Sequence, residues 1–273
     1  MTNHVARILV LCKTYPSPSE KHIETSCVAG LHEETGLVRL FPVPFRLISD
    51  GQQFKKWQWI EARIAKATSD RRPESHKVFV DTISCDEDPI STSGNWINRR
   101  NAISNETVFQ DFDDLEEKRK LSGITLGLLK PSKVLGLEIT PVKDPEWTDS
   151  EKQKLVQNEK QIGLFEESDK QAMNQLRKLP FSFHYSYECE FEGARKTYRH
   201  KIVDWEIGAL FWNCRRNYGN DWEIKFRQKM EVQLPAADLI FLMGTIHRFP
   251  DQWLIVSLIY PPKIEPDAQL TLV

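Results

Sequence analysis

Hydrophobic and polar side chains alternate without interruption between residues 181 and 191. The odd-numbered positions from Phe181 to Phe191 are aromatic residues or cysteine, and the positions between them are Ser, His and Glu. A period of two over this length is typical of a strand with one buried face. Gly193 marks a turn, and Tyr198–Val203 is predicted to return as the second strand of a hairpin.

The apolar spacing becomes helical directly after this hairpin. Asp204 stands where a helix N-cap belongs, and the tripeptide Asp-Trp-Glu that begins there recurs at Asp221. An aspartate before an apolar periodic segment favours a capped helix start, so both positions are predicted to be caps. The predicted segments are the helix Trp205–Asn217, a helix from Asp221 to about Val232, and the strands Leu239–Met243 and Trp253–Tyr260. Their order, ββααββ, indicates an α+β unit with a mainly antiparallel sheet.

The first 85 residues carry shorter apolar segments separated by polar turns. Five of them are predicted strands: Arg7–Cys12, Ile23–Leu31, Gly36–Val43, Trp57–Ala67 and Lys77–Ile83. Such a series is typical of a small barrel or a curled sheet, and a further strand at Lys133–Thr140 is expected to close it. The pattern resembles small β-barrels of the oligonucleotide-binding kind, at the level of the fold alone.

These elements predict an α+β protein in three parts. Residues 1–145 form a β-rich, barrel-like domain with a helical insertion, in which Asn95–Ile103 and Asp113–Leu121 are short helices. Residues 146–178 form a charged linker with a helix that begins near Thr148. Residues 179–273 form the ββααββ domain.

Composition narrows the functional classes. The chain has 273 residues, 40% of them hydrophobic, and a net charge of −2, so any nucleic-acid site must be a local basic patch. The five cysteines form no CxxC pair, which favours a reducing compartment and a cytoplasmic location. No apolar stretch is long enough to span a bilayer, and no membrane partner is expected.

Metal and cofactor motifs give little support for catalysis. Cysteines and histidines lack the short-spaced pairs of a zinc site, so we expect no metal and no cofactor. The exception is a metal-dependent nuclease, in which Mg²⁺ would be held by acids near the end of the second strand. The candidate catalytic residues for that alternative are Asp204, Glu206, Glu188 and Lys201. The competing interpretation is that Asp204 caps a helix and Glu206 complements the helix dipole.

Two local groups of basic and aromatic residues favour nucleic-acid binding instead. The first follows the opening strand in the loop Lys13–Ser19 and continues into later turns. The second lies between Arg195 and Met230, where nine Lys and Arg stand against four Asp and Glu. Such side chains can contact phosphates, while the aromatic residues among them can stack on bases. The predicted contacts are Lys13, Tyr15, Arg39, Arg46, Arg71, Arg199, Lys201, Arg215 and Arg216.

Three functions therefore stay open. The leading hypothesis is a nucleic-acid-binding accessory or recognition protein, for example a subunit of a DNA-processing or defence complex. The first alternative is the metal-dependent nuclease. The second is a protein–protein adaptor that presents exposed tryptophans such as Trp57, Trp59 and Trp222 to a partner protein.

Overall fold

A computed structural model describes residues 3–18, 24–45, 48–149 and 177–264. Arg46, the helix predicted from Thr148 and most of the predicted linker lie outside these ranges. Within them, no helix is both long enough and apolar enough to cross a membrane.

Strands dominate the described part of the chain. They are β1 (His4–Lys13), β2 (Ser17–Pro18), β3 (Glu24–His32), β4 (Gly36–Val43), β5 (Trp59–Lys66), β6 (Ser75–Val78), β7 (Ser84–Cys85), β8 (Val108–Phe109), β9 (Leu126–Leu129), β10 (Lys133–Pro141), β11 (Phe181–Phe191), β12 (Ala194–Ile202), β13 (Ile240–Thr245) and β14 (Trp253–Ile259). The α-helices are α1 (Ser93–Ile103), α2 (Phe112–Ser122), α3 (Trp205–Tyr218) and α4 (Trp222–Arg227), and α4 continues into a π-helical turn at Gln228–Gln233.

The N-terminal strands close into a five-stranded barrel. Its order is β1-β3-β4-β6-β5, and β5 pairs back onto β1 along six residue pairs. All neighbours are antiparallel except β4 and β6, which run parallel. This is the Greek-key arrangement of oligonucleotide-binding barrels. The strand predicted at Lys77–Ile83 is displaced: the chain pairs at Ser75–Val78 and then forms a 3-10 turn at Val80–Thr82.

A second sheet has the order β10-β11-β12-β14-β13-β9-β8. Its pairs are antiparallel except β12–β14 and β8–β9, which gives the mixed α+β unit. The prediction that Lys133–Thr140 closes the first sheet is wrong, because β10 pairs with β11 from Lys133–Glu188 to Pro141–Phe181. Its alternation specifies a strand but does not specify the partner.

The two Asp-Trp-Glu segments differ in structure. The Asp204 carboxylate accepts from the Glu206 backbone N–H at 2.8 Å, so the predicted cap of α3 is confirmed. Asp221 forms no such bond, and that prediction is wrong. Asp204 has an extended ψ of 130°, whereas Asp221 has a ψ of 9° within a 3-10 turn, which does not aim its side chain back at the helix N–H groups.

The second sheet lies between the barrel and the helices. On one face, aromatic side chains such as Phe183, Tyr185 and Phe241 pack against Phe211 and Phe226 of the α3–α4 segment. On the other face, apolar side chains of the sheet pack against the outside of the barrel. The residues of that contact include Leu9, Leu11, Ala29 and Leu31 from the barrel and Leu126, Leu128, Leu242 and Val256 from the sheet. We call these the helix face and the barrel face.

Candidate nucleic-acid interface

The outer surface of β3 and β4 is covered in this protein. Barrels of this type bind oligonucleotides on the outer surface of their second and third strands, which are β3 and β4 here. The loops after their first and fourth strands also take part in binding. Here Ala29 and Leu31 of β3 are buried against the second sheet. Nucleic acid therefore has no access to that surface, and the loops are the parts of the barrel that can still contact it.

Arg39 on β4 belongs to the covered surface. It is 2% exposed, and its guanidinium donates to Thr125 Oγ1 and the Thr125 carbonyl, both at 3.0 Å. Burial lowers its pKa, partly offset by the surrounding acidic groups. The prediction that Arg39 contacts nucleic acid is wrong, because this side chain joins the barrel to the second sheet.

Tyr15 packs against α3 rather than projecting from a loop. Its hydroxyl donates to the Arg177 carbonyl at 2.7 Å and accepts from Trp212 Nε1 at 3.0 Å. Its ring lies over Gly208, where an added Cβ would come within 2.3 Å of the ring. Glycine at this helical position therefore allows the close approach, and the structure places Tyr15 in a contact between the two units.

Gly208→Ala is expected to reduce the free energy of unfolding by about 2 kcal/mol, because overpacking outweighs the better helix propensity of alanine. In a Tyr15→Ala background the same substitution is expected to stabilise the protein by roughly 0.5–1 kcal/mol. Without the Tyr15 ring there is no overpacking, and only the better helix propensity of alanine acts. Urea denaturation of the four proteins in this double-mutant cycle measures both signs. A destabilising Gly208→Ala in both backgrounds would show that Tyr15 does not occupy this space.

Lys13 lies inside an aromatic contact instead of on an open loop. Its ammonium donates to the Phe54 carbonyl at 3.0 Å and lies 3.7 Å from the centre of the Phe45 ring and 5.4 Å from that of Trp205. Burial lowers the pKa of Lys13 to about 8, although the carboxylates of Glu206 and Asp204 act in the opposite direction. The ammonium is therefore enclosed by aromatic rings and held by the Phe54 carbonyl, and Lys13 does not belong to the set of phosphate contacts.

Stability should respond to the titration of Lys13. Its folded pKa of about 8 lies below the ordinary 10.5, so the unfolded chain binds this proton more tightly. Below about pH 8 the folded protein bears the full cost of the buried charge, and that cost disappears as the pH rises towards 10.5. We expect Lys13→Met to be most stabilising relative to wild type near pH 7 and least near pH 10. A difference in unfolding free energy that stays constant across this range would contradict the assignment.

The four candidate catalytic residues of the nuclease alternative do not form one site. Asp204 is 3% exposed and accepts from Ser257 Oγ and the Leu258 N–H in addition to its cap bond. Glu188 pairs with Thr197, seven residues before Asp204, which places it roughly 20 Å away along β12. Lys201 is opposite His184 and therefore does not join Asp204 and Glu206. Among the described residues, no group of three or more His, Cys, Asp or Glu is arranged to hold a metal ion.

Asp204 and Glu206 instead form an ion-pair cluster with Lys56. The Lys56 ammonium lies 3.1 Å from Glu206 and 3.8 Å from Asp204, and it donates to the Leu258 carbonyl at 2.8 Å. Burial opposes the charge on Lys56, but the two carboxylates outweigh it and raise the pKa. Thr14, in the loop after β1, forms a β-bridge with Asp204 at the start of α3. This bridge and the ion-pair cluster together join that loop to the helix.

The loop after β5 presents basic residues at the junction of the two units. With α2 and the loop between β13 and β14, it borders an open cavity of about 410 Å³. We call it the arginine cavity, and its lining residues are Ser69, Asp70, Arg71, Arg72, Pro73, Arg119, Gly123, Thr125, His247 and Pro250. Since this is the loop after the fourth barrel strand, it is one of the elements that such barrels use for binding.

The single carboxylate among these lining residues is neutralised by its neighbours. Asp70 is bound by the Arg72 guanidinium at 2.7–3.1 Å, and it lies 3.0 Å from His247 Nδ1. Burial would raise the pKa of Asp70, but the hydrogen bonds from Arg72 and Ser75 hold it well below its ordinary value. Arg72 also donates to the Thr245 carbonyl at 2.6 Å, which fixes the loop on the second sheet. Arg71 next to it is exposed.

Arg199 and Lys201 lie on the barrel face of the second sheet. Ile202 and its neighbour Ile255 both belong to the helix-side core, so Lys201 and Arg199 point to the opposite side. β14 lies between β12 and β13, so β12 is two strand spacings, about 10 Å, from β13, whose Thr245 carbonyl is held by Arg72. We call Arg71, Arg72, Arg199 and Lys201 the basic strip.

Arg215 and Arg216 lie elsewhere. Both are exposed on the last turn of α3, which packs on the helix face of the sheet. They therefore cannot form one surface with the basic strip, and the second basic group of the sequence is divided between two sides of the protein.

Arg199 is fixed within the strip, because Glu138 accepts from its guanidinium at 2.7 and 2.8 Å.

Two of the three tryptophans proposed for an adaptor surface are buried. Trp57 and Trp222 are 2% and 6% exposed and belong to internal cores. Trp59 is partly buried, with the Arg7 guanidinium 5.3 Å from its ring centre. Buried side chains cannot contact a partner chain, so Trp57 and Trp222 do not belong to an adaptor surface.

Arg72, Arg119 and His247 are functional candidates that the sequence did not single out. Arg72 is next to the predicted Arg71, so the basic turn was recognisable. Arg119 and His247 come from segments far apart in the chain, and nothing in their local sequence indicates that they share a cavity.

Two solved structures are similar to this chain over nearly its whole length. One is a chain of a replication protein A heterotrimer bound to ssDNA, with 8% identity, a TM-score of 0.37, and coverage of 99% of this chain and 51% of that chain. This chain thus spans about half of its length. The other is a murine DNA binding protein bound with ds DNA, with 11% identity, a TM-score of 0.31, and coverage of 98% and 100%. Both TM-scores are below 0.5, so neither likeness bears on function.

Comparison with curated proteins gives no match. Two family models match, and both describe domains of unknown function: DUF8758 over residues 4–105 and DUF8757 over residues 107–272. They meet between α1 and β8, where the barrel ends and the second sheet begins. Since the second model covers more than half of the sequence, the chain belongs to the DUF8757 family.

Proposed function

We propose that this protein binds nucleic acid along the basic strip and the arginine cavity. The observation that carries the proposal is their placement. Arg71 lines the cavity from the barrel, and Lys201 projects from β12 on the face of the second sheet that packs on the barrel. Exposed guanidinium and ammonium groups are the groups that contact phosphates.

Electrostatics within the site support a polyanion as the ligand. The Arg72 guanidinium binds Asp70 at 2.7 Å and offsets its negative charge, so this carboxylate repels an incoming phosphate less. Arg119 is held in place by Glu116, which accepts from it twice at 2.7 Å. A fixed arginine loses little side-chain freedom on binding, which favours its use as a phosphate contact.

The proposal is for binding, and it assigns no catalytic step to any residue. An accessory or recognition role fits a site of arginines and lysine in which the neighbouring carboxylates Asp70, Glu116 and Glu138 are each paired with an arginine. The separated positions of Glu188 and Asp204 give no support to a metal-dependent nuclease.

Charge substitutions on the two sides of the protein test the placement. We expect Arg71→Ala and Lys201→Ala each to weaken binding of a fluorescent oligonucleotide roughly tenfold, as for the loss of a charge-assisted hydrogen bond. Arg215→Ala and Arg216→Ala remove the same charge from the other side, and we expect them to stay within about twofold of wild type. Fluorescence anisotropy at one fixed low salt concentration measures all four. Equal losses in the four variants would contradict a defined strip.

A further inference from the structure

An exposed aromatic ring belongs to one of the turns that form the arginine cavity. Phe249 is 52% exposed at the tip of the turn between β13 and β14. Its N–H donates to the Ile246 carbonyl at 3.2 Å, and its carbonyl accepts from Gln252 at 2.9 Å, so the backbone of this turn is fixed. Two other residues of the turn, His247 and Pro250, line the cavity itself.

The cavity itself is lined by cations, among them Arg71 and Arg119. The exposed ring of Phe249 therefore belongs to a turn whose other residues border a cationic cavity. Sites for single-stranded nucleic acid combine these features, since the cations contact the backbone and a ring stacks on a base.

The volume of the cavity fits a small ligand. About 410 Å³ lies within the range of small-ligand pockets, so the cavity has room for a single nucleotide. A base within a duplex has both faces stacked on its neighbours, and only an unpaired base can offer a free face to Phe249.

We propose that the arginine cavity receives one unpaired nucleotide, with its phosphate at Arg71 and Arg119 and its base stacked on Phe249. This assignment rests on the proposed function and makes it more specific, because it predicts a preference for single strands over duplexes. Arg119 is suited to the phosphate, since its bonds to Glu116 leave a further N–H group for a ligand.

The test compares one oligonucleotide as a single strand and as a blunt duplex, by fluorescence anisotropy, with 2-aminopurine fluorescence as a second readout of stacking. We expect the single strand to bind at least about tenfold more tightly. Phe249→Ala should weaken single-strand binding roughly tenfold and leave duplex binding unchanged, while Phe249→Trp should retain both. Phe191→Ala, which removes a comparably exposed ring at the end of β11, is the matched control and should have no effect.

The outcomes separate this inference from the proposed function. If Arg71→Ala weakens binding but Phe249→Ala does not, the nucleotide assignment is overturned and nucleic-acid binding stands. Equal affinity for single strand and duplex overturns the preference in the same way. If wild-type protein binds neither form at low salt, the proposed function itself fails.

Discussion

Asp204→Ala is expected to lower the free energy of unfolding by about 3–5 kcal/mol, as for a buried ion pair that loses one partner. The Asp204 carboxylate caps α3, accepts from Ser257 and Leu258, and lies 3.8 Å from the buried Lys56 ammonium. Its removal takes the acceptor from three donors and leaves Lys56 with Glu206 as its one remaining carboxylate in this cluster. The unfolding free energy of Asp204→Asn should lie between those of wild type and Asp204→Ala. Asparagine still caps a helix, but its amide group would face the Ser257 and Leu258 donors.

The matched control is Asp221→Ala in the second Asp-Trp-Glu segment. Asp221 is exposed and forms no capping bond, so we expect a change within about 0.5 kcal/mol. Urea denaturation measures the unfolding free energy of both variants. The slope of that free energy against urea concentration should be the same in both. Similar effects at the two positions would mean that Asp204 acts only as a local helix start.

Arg39→Ala is expected to cost about 3 kcal/mol. The substitution removes the two bonds to Thr125 and leaves a cavity between the barrel and the second sheet, where the Gly244 backbone also approaches. Arg39→Lys should recover little of this loss, because one ammonium cannot reproduce two guanidinium bonds at these positions.

Arg7→Ala provides the comparison for Arg39. Arg7 is on the same barrel, and its ion pair with Asp86 is 41% exposed on both sides, so its loss should cost at most about 1 kcal/mol. Urea denaturation of the three variants gives the ranking. An Arg39→Ala protein as stable as Arg7→Ala would show that Arg39 does not hold the two units together.

Local pattern predicted the elements well where one face of a segment is buried. The strand at Phe181–Phe191 has the predicted bounds, since its alternation coincides with one face on the aromatic core. The capped start of α3 was also predictable from Asp204, because a cap depends on near neighbours in sequence. The Asp221 prediction failed because the 3-10 turn before α4 sets the backbone there, and the tripeptide alone does not show that turn.

Partners between distant segments could not be predicted from one sequence. The alternation of β10 is compatible with either sheet, and the burial of β3 against the second sheet arises from packing between units. The candidate site illustrates the same limit. Charge counts found Arg71, Arg199 and Lys201, but they also included Arg39, which is buried, and Arg215, which lies on the helix face.

The salt dependence of wild-type binding tests the central claim most directly. If Arg71, Arg119, Arg199 and Lys201 contact phosphates of a single strand, a plot of log affinity against log salt concentration should have a slope of roughly −3. Anisotropy titrations of the full chain at several NaCl concentrations measure this slope. The account predicts binding at low salt that weakens steeply as salt is added. Undetectable binding at the lowest salt concentration, or an affinity that salt does not change, would contradict it.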